Sequence, residues 1–167
     1  MADVTIRSQT ERDVESVMDV LDIVGAEGRW LGFEVPFDRR ARAERVVGDL
    51  RQPATFAGFV AEDAGGVVGY IDVRVAPYGV ASVAMAILDG YRNQGIGTRL
   101  VERGTEWAKG AGAHKLALEV WPHNDGALGL YKKLGFVEEG RLRRHYRRRS
   151  GELWDTVVMG LLLDGGG

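Results

Sequence analysis

The chain predicts a mixed α/β (α+β) fold built on a mixed central β-sheet of about six to seven strands. Three observations carry that reading. Strand-like and helix-like periodicities alternate in the order βααβββαβαββ. No internal repeat and no linker interrupts them, so residues 1–167 form one layered domain, with 164–167 expected to be a flexible Gly tail. Length and composition allow a core, because 167 residues that are 45% hydrophobic and 28% charged match an ordinary globular protein.

The elements follow in order. V-T-I-R-S (4–8) alternates as a first strand, and Thr10 with Asp13 caps a helix carrying Val14, Val17, Met18 and Leu21. Gly25 and Gly28 end it. The next stretch, R-W-L-G-F-E-V-P-F, is loop-like and rich in aromatics (Trp30, Phe33, Phe37), and a charged helix runs from about Asp38 to Leu50. T-F-A-G-F-V-A-E and V-V-G-Y-I-D-V-R-V flank D-A-G-G, a hairpin signal. V-A-S-V-A-M-A-I-L (80–88) is apolar on both faces and therefore central. An amphipathic helix from Gly95 to about Gly110 precedes the strand K-L-A-L-E-V-W (115–121), and a helix ending at Gly135 follows. F-V-E-E-G-R-L and W-D-T-V-V-M-G-L-L-L are two late strands.

Composition excludes several classes of function. There is no cysteine, so disulfides, cysteine-ligated metals and cysteine nucleophiles are impossible. Net charge is −2, which gives no overall attraction to nucleic acid or anionic membrane. No apolar run approaches the ~20 residues of a bilayer span and no signal-peptide core is present, so a cytoplasmic protein is expected. His114, His123 and His145 lack metal-ligand spacing, so no metal is expected. The segment R-L-R-R-H-Y-R-R-R (141–149) holds six arginines in nine positions. It reads as a solvated hairpin loop, with a dimer contact or an anion site as alternatives.

Y-R-N-Q-G-I-G-T-R-L (91–100) is the stretch with chemical content. A P-loop needs Gly-Lys-Ser/Thr, but Gly97 is followed by Thr98 and Arg99; a dinucleotide fingerprint needs a third glycine where Leu100 stands. What remains is R-x-x-G-x-G between a central strand and a helix. Unpaired amides at a helix N-terminus form an anion site, glycines admit phosphate oxygens, and Arg92 and Arg99 add charge. A turn whose glycines only relieve strain is the alternative. Downstream, Asn124 stands at a helix start and Tyr131 lies two turns on, nearly on the same face. Alone, they read as an N-cap and a core aromatic.

Together, R-x-x-G-x-G and N-x-x-A-x-x-L-Y-x-K-x-G-F about thirty residues later resemble the GCN5-related N-acetyltransferase (GNAT) family. The likeness is strong from Val80 to Phe136, and the order of elements agrees along nearly the whole chain. The ending E-G-x-x-R…G-x-x-x-D-x-x-x-M and the segment Trp30–Phe37 resemble members that acetylate small amines or free amino acids. The resemblance implies the GNAT fold, with helices on both faces of the sheet and the fourth and fifth strands splayed around acetyl-coenzyme A. It assigns the cofactor arm to backbone near Met85, Ala86 and Ile87, and the pyrophosphate to the amides of Gln94, Gly95, Ile96, Gly97 and Thr98. By the same matching, Arg92, Asn93, Asn124, Ala127 and Lys133 contact the cofactor. Tyr131 then points at the thioester sulfur as general acid, and the Ile87 N–H is the oxyanion donor.

The expected activity is direct acetyl transfer to a primary amine of a small molecule such as an amino acid or polyamine. The alternatives are acetylation of a protein N-terminus or lysine, and a non-catalytic acyl-coenzyme A-binding module. The general base is open: the fourth strand has no carboxylate, Ser82 is a poor base, and Glu119, Glu34 through water, and ordered water alone all remain. Trp30, Phe33 and Glu34 are expected to wall the acceptor site, and a homodimer is expected from the family's habits.

Overall fold

The structure is a computed structural model that describes residues 3–165; of the expected Gly tail, Gly166 and Gly167 lie outside the described residues. Seven strands form one sheet in the order β1-β2-β3-β4-β5-β7-β6. They are β1 (Thr5–Ser8), β2 (Phe56–Asp63), β3 (Gly66–Val75), β4 (Val80–Ile87), β5 (Lys115–Val120), β6 (Val137–Arg147) and β7 (Leu153–Leu162). Four helices cover the faces: α1 (Val14–Ala26), α2 (Arg39–Leu50), α3 (Ile96–Gly110) and α4 (Asp125–Lys133). The element order and the helices on both faces are those expected.

The helix starts are set by local hydrogen bonding. Thr10 N–H donates to Asp13 Oδ2 at 2.7 Å, part of a reciprocal box that opens a short 3-10 turn (Glu11–Asp13) before α1. Asp38 caps α2 by accepting from Ala41 N at 2.9 Å.

Strand alternation divides the core in two. Phe59, Ala61, Ile71 and Val73 face α3 and pack with Leu100, Val101 and Ala108. Val60, Tyr70 and Ala86 face the other way, onto Val17, Met18, Leu21 and Val24 of α1 and Val46 of α2.

Only β4 and β5 run parallel, and they pair over just three residues: Val80 with Lys115, Ala81 with Leu116, and Ser82 with Ala117. β4 then continues to Ile87 along β3, while Leu118, Glu119 and Val120 pair with β7. The sheet is therefore split between β4 and β5 beyond Ser82. β4 is central as expected, yet Ser82 and Ala84 are exposed on the α1/α2 face, so that face of the strand is not covered.

One expectation is corrected. The arginine-rich segment is strand, not hairpin loop, through Arg147, and the turn lies at 148–152, closed by Arg148 N–H to Glu152 O at 2.8 Å. A bulge between Leu142 and Tyr146 interrupts the register with β7, and Arg144 there has φ 52°. The pairing with β7, which begins at Leu153, extends the strand across polar residues that propensity alone would leave as loop.

Candidate active site

The split sheet leaves backbone groups without strand partners. Leu88 N–H donates to Val68 O, and Ala76 N–H donates to Val80 O, both at 2.9 Å. Even-numbered residues of β4 thus turn their peptide groups toward β3. Antiparallel alternation directs those of Val83, Met85 and Ile87 into the split. Of the three residues the resemblance assigns to the cofactor arm, Met85 and Ile87 turn peptide groups into the split, whereas those of Ala86 serve the ladder with β3, opposite Tyr70.

At the same end of β4, α3 begins. Its first intrahelical donor is Arg99, to Gly95 O at 3.1 Å, so the amides of Ile96, Gly97 and Thr98 point outward without a partner among the described residues. Gly95 has φ 80°, a left-handed conformation that favours glycine, and nothing stands within 4 Å of where its Cβ would be. Asn93 is also left-handed, at φ 60°, while the Gln94 side chain donates back to Gly90 O at 2.9 Å. Gly97 has a different task. A Cβ there would meet Leu130 Cδ2 at 3.0 Å, with Ile87 Cδ1 and Met85 Cε at 3.5 and 3.7 Å. The second glycine therefore lets α3, α4 and the end of β4 converge.

Two predicted charges are spent elsewhere. Arg92 donates from Nε to Ile87 O at 2.9 Å and bridges both carboxylate oxygens of Glu27 at 2.7 and 2.9 Å. That pairing raises the Arg92 pKa and lowers that of Glu27. Arg99 donates to Val4 O at 2.8 Å. Arg92 is thus engaged by an ion pair and a backbone carbonyl, whereas Arg99 is exposed and uses one guanidinium N–H on backbone.

Asn124 caps α4, its Oδ1 accepting from Ala127 N at 3.1 Å, which leaves its amide N–H groups for a ligand. Tyr131 lies one residue beyond Leu130 and is buried at 8% exposure against Phe136. Its hydroxyl has no hydrogen-bond partner among the described residues. Burial alone pushes its pKa up to about 12. Lys133 is exposed in the last turn of α4.

The opposite face of the split is lined by other residues. Leu116, Leu118 and Val120 point into the α3-side core, so Ala117 and Glu119 stand on the α1/α2 side. Glu119 is exposed and accepts from Tyr146 Oη at 2.8 Å. Trp121 is sunk beside it, with Tyr146 and Trp154 edge-on at 5.1 and 5.2 Å. Arg148 is buried at 5% exposure, its guanidinium 4.3 Å from the centre of Trp154 and 5.5 Å from that of Trp121.

The α1–α2 loop and the β6–β7 turn are fastened together over this face. Arg149 N–H donates to Glu34 Oε2 at 2.8 Å, and its guanidinium donates to Val35 O and Pro36 O, both at 2.6 Å. His123 Nε2 meets Arg29 O at 2.8 Å. Of the predicted acceptor wall, Trp30 stands near His123 with its Nε1 donating to Glu27, Glu34 holds the turn, and Phe33 packs against Phe37 and Arg42. Glu34 is thus a strut between the α1–α2 loop and the β6–β7 turn.

Sequence reasoning missed Arg42, Tyr70, Asp72, Tyr146 and Arg148. The signal for Asp72 was present: Tyr70, Asp72 and Arg74 alternate polar side chains onto one face of an internal strand.

These features define the class. A model of the Acetyltransferase (GNAT) family matches residues 24–136. The chain belongs to the GNAT acetyltransferase family. An N-alpha-acetyltransferase of Sulfurisphaera tokodaii is 39% identical over 104 residues, 54% of this chain and 62% of that protein. The N-alpha-acetyltransferase RimI of Mycobacterium tuberculosis is 34% identical over 91 residues, 52% of this chain and 56% of that protein. The matches thus span less than two thirds of these curated relatives. Among solved structures, a ribosomal-protein-alanine N-acetyltransferase from Brucella melitensis superposes with TM-score 0.85 at 24% identity, covering 95% of this chain and 99% of that one. A phosphinothricin acetyltransferase from Sinorhizobium meliloti in complex with AcCoA gives 0.84 at 19% identity, covering 96% and 88%.

No group of three or more His, Asp or Glu gathers as a metal site among the described residues, and no helix there is long and apolar enough to cross a membrane.

Proposed function

We propose that this chain is an acetyl-coenzyme A-dependent N-acetyltransferase whose acceptor is a primary amine on a small molecule. The split between β4 and β5 carries the reading. It presents an unpartnered backbone edge, a row of outward helix amides and a buried phenol around one opening. These residues fit the cofactor: the N–H and C=O groups of Met85 suit the amides of its arm, the Ile87 C=O being taken by Arg92, and the amides of Ile96–Thr98 suit its pyrophosphate. Asn124 Nδ2 is a further donor beside the arm.

Acetyl-coenzyme A, when bound, supplies the thioester whose acetyl group passes to the amine. Ile87 N–H, directed into the split, is a fixed donor for negative charge developing there. Tyr131 Oη keeps its proton at neutral pH, because burial raises its pKa, and serves as the acid. Glu119, on the acceptor face, takes the amine proton while Tyr146 holds its carboxylate in place. With no cysteine in the chain, transfer is direct.

The fastened roof supports a small acceptor, since the α1–α2 loop and the β6–β7 turn bridge the face where a longer chain would lie. A second reading, an N-terminal α-amine of a protein, is favoured by the N-alpha-acetyltransferase relatives. A thiol-release assay over free amines, amino acids, N-terminal peptides and lysine peptides tests both. Turnover of free amines alone supports the first reading; turnover of peptides alone removes it. Coenzyme A binding without transfer to any acceptor would instead indicate a non-catalytic binding module.

We further propose a cytoplasmic homodimer, supported by the long exposed strand β6 at the sheet edge. A monomeric mass by light scattering at micromolar concentration would remove the dimer.

A further inference from the structure

Arg92 opens the glycine motif, yet its guanidinium serves the end of β4. Nε donates to Ile87 O at 2.9 Å, while Nη1 and Nη2 hold the two carboxylate oxygens of Glu27 at 2.9 and 2.7 Å. Nη1 also meets Asp89 Oδ1 at 3.1 Å. A planar guanidinium engaged on three sides has little freedom left, so Glu27 is held at a fixed place relative to Ile87.

Glu27 stands at the C-cap of α1, where its carboxylate faces the negative end of the helix dipole and the last turn holds no basic residue. That position is unfavourable by itself, and Arg92 offsets it. Gly28, at φ 70°, then turns the chain back over the helix end. Trp30 returns by this turn, and its Nε1 donates to Glu27 Oε2 at 2.5 Å. The Arg92 guanidinium lies 5.7 Å from the centre of the same indole.

The other neighbour of Trp30 is His123, with ring centres 6.1 Å apart, and His123 Nε2 meets Arg29 O at 2.8 Å. His123 lies in the connection from β5 to α4. Trp30 is therefore tied to the end of β4 through Arg92 and packed against the continuation of β5. These are the two strands that part beyond Ser82, and Trp30 packs with the α1/α2 side of the core. The indole thus bridges the open end of the split on the acceptor face.

We propose that Glu27 and Arg92 are positioning residues for acetyl transfer, fixing the Trp30 wall against the Ile87 end of β4. The inference rests on the reading above, which puts the reacting thioester at that end. An amine packed on Trp30 is then referred to the same backbone that holds the acetyl carbonyl. Attack needs the nitrogen about 3–3.5 Å from the carbonyl carbon, and a misplacement of about 1 Å costs about 10²-fold in rate. Neither residue touches the amine or the acetyl group; both act through Trp30 and Ile87. The strut at Glu34 and Arg149 fastens the far end of the same loop, which leaves Trp30 dependent on this pair.

Glu27→Ala, Glu27→Gln, Trp30→Phe and the Glu27→Ala/Trp30→Phe double variant are compared with wild type by thiol release, calorimetric coenzyme A binding and amide exchange. Glu27→Ala lowers kcat about 10- to 100-fold, more than it raises acceptor KM. Coenzyme A affinity stays within about threefold, because the amides of Ile96–Thr98 do not depend on Glu27. Glu27→Gln still accepts from Trp30 and Arg92, and it recovers about tenfold of the loss. Trp30→Phe removes the indole N–H and keeps an aromatic wall, so the double variant is no slower than Glu27→Ala alone, as expected for one shared path. Exchange at residues 28–31 is faster in Glu27→Ala without any substrate, a readout independent of turnover. Wild-type kcat in a folded Glu27→Ala, no recovery in Glu27→Gln, or unaltered exchange at 28–31 overturns the positioning role while acetyl transfer stands. A wild type that does not bind coenzyme A overturns the acetyltransferase reading first, and this role with it.

Discussion

Tyr131 shows how a single side chain is prepared by what surrounds it. Its ring packs on Phe136, just past the end of the same helix, and no polar neighbour relieves the burial of its hydroxyl. The phenol therefore stays protonated well past neutral pH. Tyr131→Phe removes the proton and keeps the packing, so kcat falls about 10²- to 10⁴-fold while coenzyme A affinity by calorimetry is preserved. Unchanged turnover would remove Tyr131 from the acid role. Asp72 makes a second prediction at this scale. Its folded pKa, about 7, lies above the ordinary carboxyl value of about 3.9, so the folded state holds the proton more tightly across that interval. Stability then declines as pH rises from about 4 to about 7 and levels off above. Asp72→Asn removes the slope: the variant matches wild type in thermal melts near pH 4 and melts higher at pH 8. An equal difference at both pH values would contradict the burial of this carboxyl.

At the scale of elements, the split between β4 and β5 is made by what the two strands pair with beyond Ser82. β4 follows β3, β5 follows β7, and the two partners lead them apart. Gly97 lets α3 and α4 close around the gap, while Arg92 ties the end of β4 to Glu27 beside α1. Donor and acceptor loops are thus joined through one guanidinium. The roof over the acceptor face is a further joint. Arg149→Ala removes two donors to the α1–α2 loop, at Val35 and Pro36. Faster amide exchange across residues 29–37 is the expected outcome, with KM for small acceptors raised about 3- to 10-fold, equivalent to about one net hydrogen bond. Exchange identical to wild type would show that the loop is held by the aromatic contacts alone.

For the whole molecule, the sheet separates two kinds of chemistry and the split joins them. The α3/α4 face holds the outward amides at the start of α3 and the buried phenol, and the α1/α2 face holds carboxylates, arginines and aromatics. A ligand that fills the split bonds groups that otherwise face water, so it binds only the folded state. Coenzyme A at 100 times its Kd stabilises the protein by about 2.7 kcal/mol, roughly 5–10 °C in Tm for a domain of this size. Scanning calorimetry with and without coenzyme A checks this, and no shift at saturating concentration would refute the donor site. Adenosine alone, which lacks the pyrophosphate and the arm, produces a much smaller shift.

Local spacing by itself determined the element order, the central place of β4, the glycine turn before α3 and the Asn124–Tyr131 helix. All of these depend on hydrophobic period, capping and positive φ, which act over a few residues. The proposed donor half of the site was legible as local structure for that reason: it is built from a strand, a turn and two helices that are close together in the chain. Only the tertiary structure decided the acceptor half. Arg92 looks like a phosphate ligand in its motif, and it is claimed by Glu27, 65 residues away. Arg148 looks solvated within a basic run, and it is buried against Trp121 and Trp154. Asp72 and Arg42 are far apart in the chain, and the packing of α2 on α1 and β2 sets them on the same face of the sheet. Long-range pairing sets which polar groups are satisfied and which are left free, and no pattern acting over a few residues can show that.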